Sequence, residues 1–197
     1  MEDKRLESQI GFIVEIDKLK NIFRQTSLMD GKRRENDAEH SWHLAVMAVL
    51  LSEYASERGI DILRIIKMVL THDLVEIDAG DMFLYDKKGQ KSRHEEEQKA
   101  ADRIFNILPE DQAIELMELW KEFEARKTPE ARFAAALDRL QPMLHNYHTR
   151  GGAWKEHGIT SDMVIEANQH ISKGAPELWK YAEKMLRDAV EKGYLKA

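Results

Sequence analysis

The chain has 197 residues, 43% of them hydrophobic and 34% charged, with a formal net charge of −6 and no cysteine. That length suits one globular unit with a substantial core, and the lack of cysteine excludes disulfides, thiolate metal sites and a cysteine nucleophile, so a bound metal would need nitrogen and oxygen ligands. The acidic balance argues against a nucleic-acid polymer as partner; the apolar run near Leu44 to Leu51 is too short to span a bilayer, and MEDKRLESQIGF lacks a basic-then-apolar leader, so no membrane association and a cytoplasmic setting are expected.

Apolar residues recur at helical spacing almost throughout, and alternating β-branched runs are missing, so the fold is predicted to be all-α. A first helix is expected over residues 6–25, with Ile10, Ile13, Val14, Leu19, Ile22 and Phe23 on a mostly apolar stripe. A polar loop containing Asp30-Gly31 follows. Asp37 is placed as the N-cap of a second helix over 38–58, ended by Gly59. Asp61 caps a third over 62–77, rich in Ile, Leu, Met and Val and therefore central to the core. Residues 78–92 read as a long loop, the kind of segment that often carries function. Lys87, Lys88, Lys91 and Arg93 around it read as solvated charge, with contact to a phosphate as the second option. A charged helix over 93–107 precedes one opened by Pro109-Glu110 and running to 124. Thr128-Pro129-Glu130 starts a helix carrying Ala134, Leu137, Asp138, Leu140 and Leu144. Gly151-Gly152 breaks the chain, Ser161 caps a helix to 171, and Pro176 starts the last one.

Within this pattern His40, the pair His72-Asp73 and Asp138 each sit in an apolar, helix-forming stretch, where burial of an ionisable side chain is costly unless it is satisfied. Two imidazoles and two carboxylates suit one divalent ion of moderate hardness, such as Mn, Fe, Co, Ni or Zn. His72 and Asp73, adjacent on a helix, point about 100° apart and reach one ion only if the helix passes close beside it. In LTHDLVEIDAGD, Glu76 lies one turn beyond His72 and offers a carboxylate for proton transfer, and Asp81 lies just past the helix end. In ENDAEHSWHLAV the spacing alone leaves His40 and His43 equally eligible. Asp138, in FAAALDRLQPML, has an ion pair with Arg139 as its simpler reading. Trp42, Trp120, Trp154 and Trp179 are expected in the core or at an interface.

The order of a histidine, then His-Asp, then a distant aspartate on successive helices resembles the HD superfamily of metal-dependent phosphohydrolases. The strings ENDAEHSWHLAV, HDLVEIDAGD and LWKEFEARKTPEARFAAALDRLQ resemble, within it, the branch of single-domain bacterial 5'-deoxynucleotidases (YfbR-like) and their eukaryotic relatives. The resemblance covers nearly the whole chain. It implies one HD domain over 1–197, with a metal-binding core over 38–145 and C-terminal helices over 160–192 packed on it. It also implies one divalent ion (Mn, Co, Fe, Ni, Zn or Mg) held by His40, His72, Asp73 and Asp138, with His43 behind the ligands or in the core.

By the same resemblance Glu76 acts as general acid or base toward the leaving 5'-oxygen, Asp81 orients water or a substrate hydroxyl, and Arg24 contacts the substrate phosphate. Gln25 departs from the branch, which has tryptophan after that arginine, and this bears on base and sugar preference. The implied activity is removal of phosphate from (deoxy)nucleoside 5'-monophosphates by a homodimer, to which the apolar content of the first and last helices would contribute. Hydrolysis of nucleoside triphosphates or signalling nucleotides is the enzymatic alternative, and a helical module with a structural metal the non-catalytic one.

Overall fold

The computed structural model describes residues 2–86 and 90–197, with the side chains of Glu2 and of residues 90–92 outside that description. Lys87, Lys88 and the Lys91 side chain therefore lie beyond what it describes. The architecture is helical with one small hairpin: α1 (Glu2–Ile16), a 3₁₀ turn (Asp17–Asn21), β1 (Phe23–Ser27), β2 (Arg34–Asn36) and α2 (Asp37–Leu51). Then come α3 (Ile62–Thr71), a 3₁₀ turn (His72–Val75), α4 (Glu76–Ala79), α5 (Gln90–Phe105) and α6 (Glu110–Ala125). The chain closes with α7 (Pro129–His148), α8 (Gly152–Glu156), α9 (Ser161–Asn168), α10 (Ile171–Gly174) and α11 (Pro176–Glu191).

The predicted first helix is too long. It stops at Ile16, and Arg24 lies on an extended strand. The polar segment after it is an antiparallel hairpin in which Phe23 pairs with Asn36 and Ser27 with Arg34. Between those pairs β1 advances four residues while β2 advances two. The surplus falls on Arg24, Gln25 and Thr26, a bulge of the kind that re-aims side chains beside functional sites. Asn36, not Asp37, caps α2: its side chain accepts from the Glu39 amide, and the Glu39 carboxylate accepts from the Asn36 amide, a reciprocal capping box. Asp37 is thereby freed to point inward, where it is fully buried. Thr160, one residue before the expected Ser161, caps α9.

α7 is the central element. Thr128 caps it and Pro129 opens it as the sequence predicts. Ala131, Phe133, Ala134, Ala136 and Leu137 are wholly buried, and α2, α3, α6, α10 and α11 pack around them. The run of alanines lets backbones approach closely. At Gly174 on α10 an added Cβ would lie 2.1 Å from the Arg132 carbonyl oxygen, so only glycine fits there. Pro142 inside α7 cannot donate to the carbonyl four residues back, which belongs to Asp138, and the helical ladder is interrupted at that residue.

The third helix was also predicted too long, ending at Thr71 and tightening into the 3₁₀ turn that carries His72 and Asp73. With three residues per turn, successive side chains there diverge by about 120°. The switch has a packing reason. Ile65, Met68 and Val69 on α3 join the main core with Leu44, Phe133 and Leu137, whereas Leu74 and Val75 join a second apolar cluster with Phe12, Ile104, Phe105 and Trp120. His72 and Asp73 fall at the seam between the two. Gly80 then ends α4 at φ 75 and ψ 155, a conformation reserved almost entirely for glycine, and turns the chain so that Asp81 comes back toward the seam.

Candidate metal centre

Three elements bring the four singled-out residues together: α2 supplies His40, the 3₁₀ turn His72 and Asp73, and α7 Asp138, all buried. His40 Nε2 stands 3.0 Å from Asp138 Oδ1 and 3.9 Å from Asp73 Oδ2. His72 Nε2 stands 3.0 Å from Asp73 Oδ1 and 3.7 Å from Asp138 Oδ1. Ligand atoms each about 2.1 Å from one ion lie about 3.0 to 4.2 Å from one another, so these separations fit one centre.

The donor chemistry also fits. His72 Nδ1–H donates to the Val69 carbonyl oxygen at 3.0 Å, which commits the proton to that nitrogen and leaves the buried Nε2 without a hydrogen-bond partner. A lone pair aimed at two carboxylates is the arrangement a cation completes. For His40, Nδ1–H donates to Gln141 Oε1 at 3.1 Å, and the orientation of that amide is itself fixed. Gln141 Nε2 donates to Glu35 Oε1 at 2.6 Å and to His145 Nε2 at 2.9 Å, while His145 Nδ1–H donates to the Ser27 carbonyl oxygen at 2.9 Å. His40 Nε2 is thus left as an acceptor facing the centre.

His43 faces Gln141 instead of the four-residue cluster: its Nδ1 is 3.3 Å from Gln141 Nε2. Glu35, His43 and His145 are near enough to one another to resemble a second metal site. Their common centre is taken by the Gln141 amide nitrogen, a donor where a cation would need open space.

The charges are divided sharply. Burial, reinforced by Arg24, brings the His40 pKa down to about 4, keeping the imidazole neutral. Burial also works against a charged His72, but the Asp73 and Asp138 carboxylates overcome it and push that pKa up to about 10, so that without an ion Nε2 carries a proton between the two carboxylates and a bound cation would take that proton's place. Against the cost of burial, His72 and Arg24 hold the Asp73 carboxyl below the usual carboxylate range. Arg139, with His40 and His72, does the same for Asp138. The expected Asp138–Arg139 ion pair is present at 3.5 Å, alongside the histidine contacts.

Beside the candidate ligands lies a second group of acids. Asp37, Asp73 and Glu76 approach one another closely enough to share a cation. Arg24 Nη1 bridges Asp73 Oδ2 at 3.0 Å and Asp37 Oδ1 at 3.1 Å, with Asp81 Oδ1 at 3.8 Å. Arg93 Nη2 donates to Glu76 Oε1 at 2.8 Å and its Nε pairs with Glu97. Arg93 therefore reaches the site from α5 and is not merely solvated loop charge. Glu76 Oε2 and Asp37 Oδ2 are buried without hydrogen-bond partners. Burial raises both pKa values, with help from Asp73: Asp37 to about 7, and Glu76 well above the normal carboxyl range. Asp81 is shifted upward too, first by burial.

Sequence reasoning missed Asp37, Arg93, Glu35, Gln141 and His145. A signal for two of these was present: Asp138, Gln141 and His145 recur at i, i+3 and i+7 on an otherwise apolar helix, one buried polar stripe.

A cavity of about 290 Å³ opens on the centre, lined among others by Arg24, Asp73, Glu76, Asp81, Arg126 and Arg139. A smaller one of about 70 Å³ shares Arg24, Asp81 and Arg139 and adds Gln25, Phe83, Tyr85 and Asn168. Trp120 lines the first and Trp154 the second, both from within the core, whereas Trp42 is 64% exposed.

Residues 16–179 match the HD domain family. The chain belongs to that family. Among solved structures this HD domain is similar to the crystal structure of a "Predicted metal-dependent phosphohydrolase" from Magnetospirillum magnetotacticum MS-1, with 53% identity and a TM-score of 0.96 over 100% of this chain and 98% of that one. Among curated proteins it is similar to the 5'-deoxynucleotidase HDDC2 of Homo sapiens, 32% identical over 57% of this chain and 53% of the relative. The relative of the same name from Dictyostelium discoideum is 34% identical over 57% of this chain and 62% of its own length. The HD domain thus matches little more than half the length of these curated relatives.

Proposed function

We propose that the protein is a metal-dependent phosphomonoesterase that removes phosphate from (deoxy)nucleoside 5'-monophosphates. The carrying observation is the convergence of His40 Nε2, His72 Nε2, Asp73 and Asp138, with the other nitrogen of each imidazole already committed as a donor. These four residues would hold one divalent ion from the series Mn, Co, Fe, Ni, Zn or Mg. When bound, such an ion lowers the pKa of water and draws charge from a phosphoryl oxygen. The activity named for the HDDC2 relatives, and the phosphohydrolase named for the Magnetospirillum structure, support the reading.

The chain's own residues supply the rest. Glu76, whose pKa burial and neighbouring carboxylates raise, would donate a proton to the leaving 5'-oxygen, with Arg93 fixing its other oxygen. Asp81, brought inward by Gly80, orients the attacking water or a sugar hydroxyl. Arg24 reaches the phosphate while staying braced by Asp37 and Asp73. The smaller cavity would take part of the nucleoside, with Gln25 on its wall.

The whole chain is read as one HD domain. Leu178, Trp179, Met185 and Leu186 of α11 sink into the core, so the last helix has no large apolar face to offer a partner. The first helix does: Leu6, Ile10, Ile13 and Val14 are each more than half exposed, and Leu6, Ile10 and Ile13 line an apolar groove with Leu70. A homodimer through this face is part of the proposal, and light scattering should report twice the 22.9 kDa chain mass. Ile10→Asp should reduce it to the monomer; an unchanged mass would exclude α1 as the interface. A cytoplasmic setting goes with nucleotide substrates, and among the described residues no helix is long and apolar enough to cross a membrane.

The deciding experiment is metal analysis of the purified protein followed by orthophosphate release from deoxynucleoside monophosphates with each divalent ion restored. Release from monophosphates is expected. Activity confined to triphosphates or cyclic dinucleotides, or none with any ion, would sink the proposal.

A further inference from the structure

Four arginines line the larger cavity, and they are not equivalent. Arg24 is bonded to Asp37 and Asp73, and Arg93 to Glu76 and Glu97, so both guanidiniums are already neutralised by carboxylates. Arg126 and Arg139 are different. Among the described residues Arg126 makes no carboxylate ion pair; its Nη1 donates to the neutral His170 Nε2 at 3.2 Å. Arg139 Nε lies 3.5 Å from Asp138 Oδ2, too far for a good hydrogen bond, and is buried without a hydrogen-bond partner.

Two further observations mark this wall. Arg126 closes α6 in the left-handed conformation, φ 50 and ψ 34, a position that favours glycine, so its side chain is held over the cavity at a cost in backbone strain. His170 behind it senses the local field: burial, then the positive charges of Arg126 and Arg139, brings its pKa down to about 4. Partly buried like charges with few counter-charges repel one another, and a group that neutralises both at once removes that cost. A phosphate, with several acceptor oxygens, matches two guanidinium forks.

We propose that Arg126 and Arg139 form an anion subsite on the α6–α7 wall that grips the phosphate of the substrate, in addition to Arg24. The substrate class, a phosphomonoester, rests on the function proposed above; the anion site itself does not. It resolves a difficulty of charge. Asp73, Glu76, Glu97 and Asp138 line the same cavity, so a phosphate dianion needs guanidiniums with donors to spare, and Arg126, with no carboxylate partner among the described residues, and Arg139, which meets Asp138 only at 3.5 Å through Nε, have them.

Calorimetric titration of the metal-loaded protein with inorganic phosphate tests the subsite without relying on turnover. Arg126→Gly is the deciding variant, because glycine suits the left-handed backbone at 126 and the position is remote in sequence from the proposed ligands; Arg139→Gln and Arg139→Lys accompany it. The expected result is phosphate binding roughly tenfold to a hundredfold weaker in Arg126→Gly and Arg139→Gln. Metal content should be retained in Arg126→Gly, and Arg139→Lys should recover part of the loss. KM for a deoxynucleoside monophosphate should rise by a similar factor. Unchanged phosphate affinity in folded, metal-bearing Arg126→Gly would overturn the subsite, as would a wild-type protein that binds no phosphate. A wild type that binds phosphate through these arginines yet hydrolyses no monoester would leave the subsite standing and remove the phosphomonoesterase reading instead.

Discussion

Asp73→Ala is expected to yield a folded protein without stoichiometric metal and without phosphate release. Asp73 reaches both imidazoles with separate oxygens, Oδ1 at 3.0 Å from His72 Nε2 and Oδ2 at 3.9 Å from His40 Nε2, whereas Asp138 meets both through Oδ1 alone. Its removal strips one donor from the centre and also a main source of the negative potential there. The fold should survive, because Arg24 keeps Asp37 at 3.1 Å and Asp81 at 3.8 Å as counter-charges. Loss of an ion that stabilises the transition state by several kcal/mol corresponds to a rate loss of about 10³-fold or more. Elemental analysis, circular dichroism and a phosphate assay on one preparation check all three parts. Full activity with metal retained would refute the assignment.

Glu76→Gln separates chemistry from metal binding. Glutamine keeps the shape and an acceptor for Arg93 Nη2, which donates to Glu76 Oε1 at 2.8 Å in the native chain, but it carries no transferable proton. The expected outcome is metal content near wild type with kcat lower by roughly 10²- to 10⁴-fold, the usual worth of a placed general acid. The pH dependence has a definite sign. Burial and the charges of Asp73 and Asp37 raise the folded-state pKa of Glu76, so the native group keeps its proton to higher pH than a free carboxyl and loses it as pH rises through that raised value. The wild-type rate should fall along this alkaline limb, and the variant should lack it. By linkage, the stabilisation that goes with the raised pKa is complete below the unfolded value and lost as pH climbs, so the variant should be less sensitive to alkali in thermal unfolding. A variant with undiminished kcat would make Glu76 a structural acid and favour a helical module with a structural metal.

His40, His72, Asp73 and Asp138 were legible because each interrupts an apolar helical pattern, and a buried ionisable group in such a place needs a partner. Thr128-Pro129 and Pro176 were legible because capping chemistry is local and strong. The hairpin was not: Phe23–Ser27 and Arg34–Asn36 are short and polar, and the apolar period of α1 runs on through Leu19, Ile22 and Phe23, hiding the point where the helix stops. Arg24 was therefore noticed but set on the wrong kind of element. Asp37 was mistaken for a cap because Asn36 and Asp37 are both good capping residues, and only the reciprocal contact with Glu39 decides between them. Arg93 and Glu35 act through tertiary partners distant in sequence, which no local pattern encodes.

The chain of contacts from His40 through Gln141 and His145 to the Ser27 carbonyl ties the candidate site to the hairpin. A main-chain carbonyl only accepts, and that fact propagates along each donor in turn until it selects the nitrogen of His40 that keeps its lone pair. Docking of α2, the 3₁₀ turn and α7 gathers all four candidate ligands, and it is the hairpin, through the Ser27 carbonyl on β1 and the Glu35 carboxylate on β2, that orients the Gln141 amide behind His40. The hairpin thus helps to set the tautomer of His40 through a main-chain acceptor, although no residue of the hairpin is among the four candidate ligands.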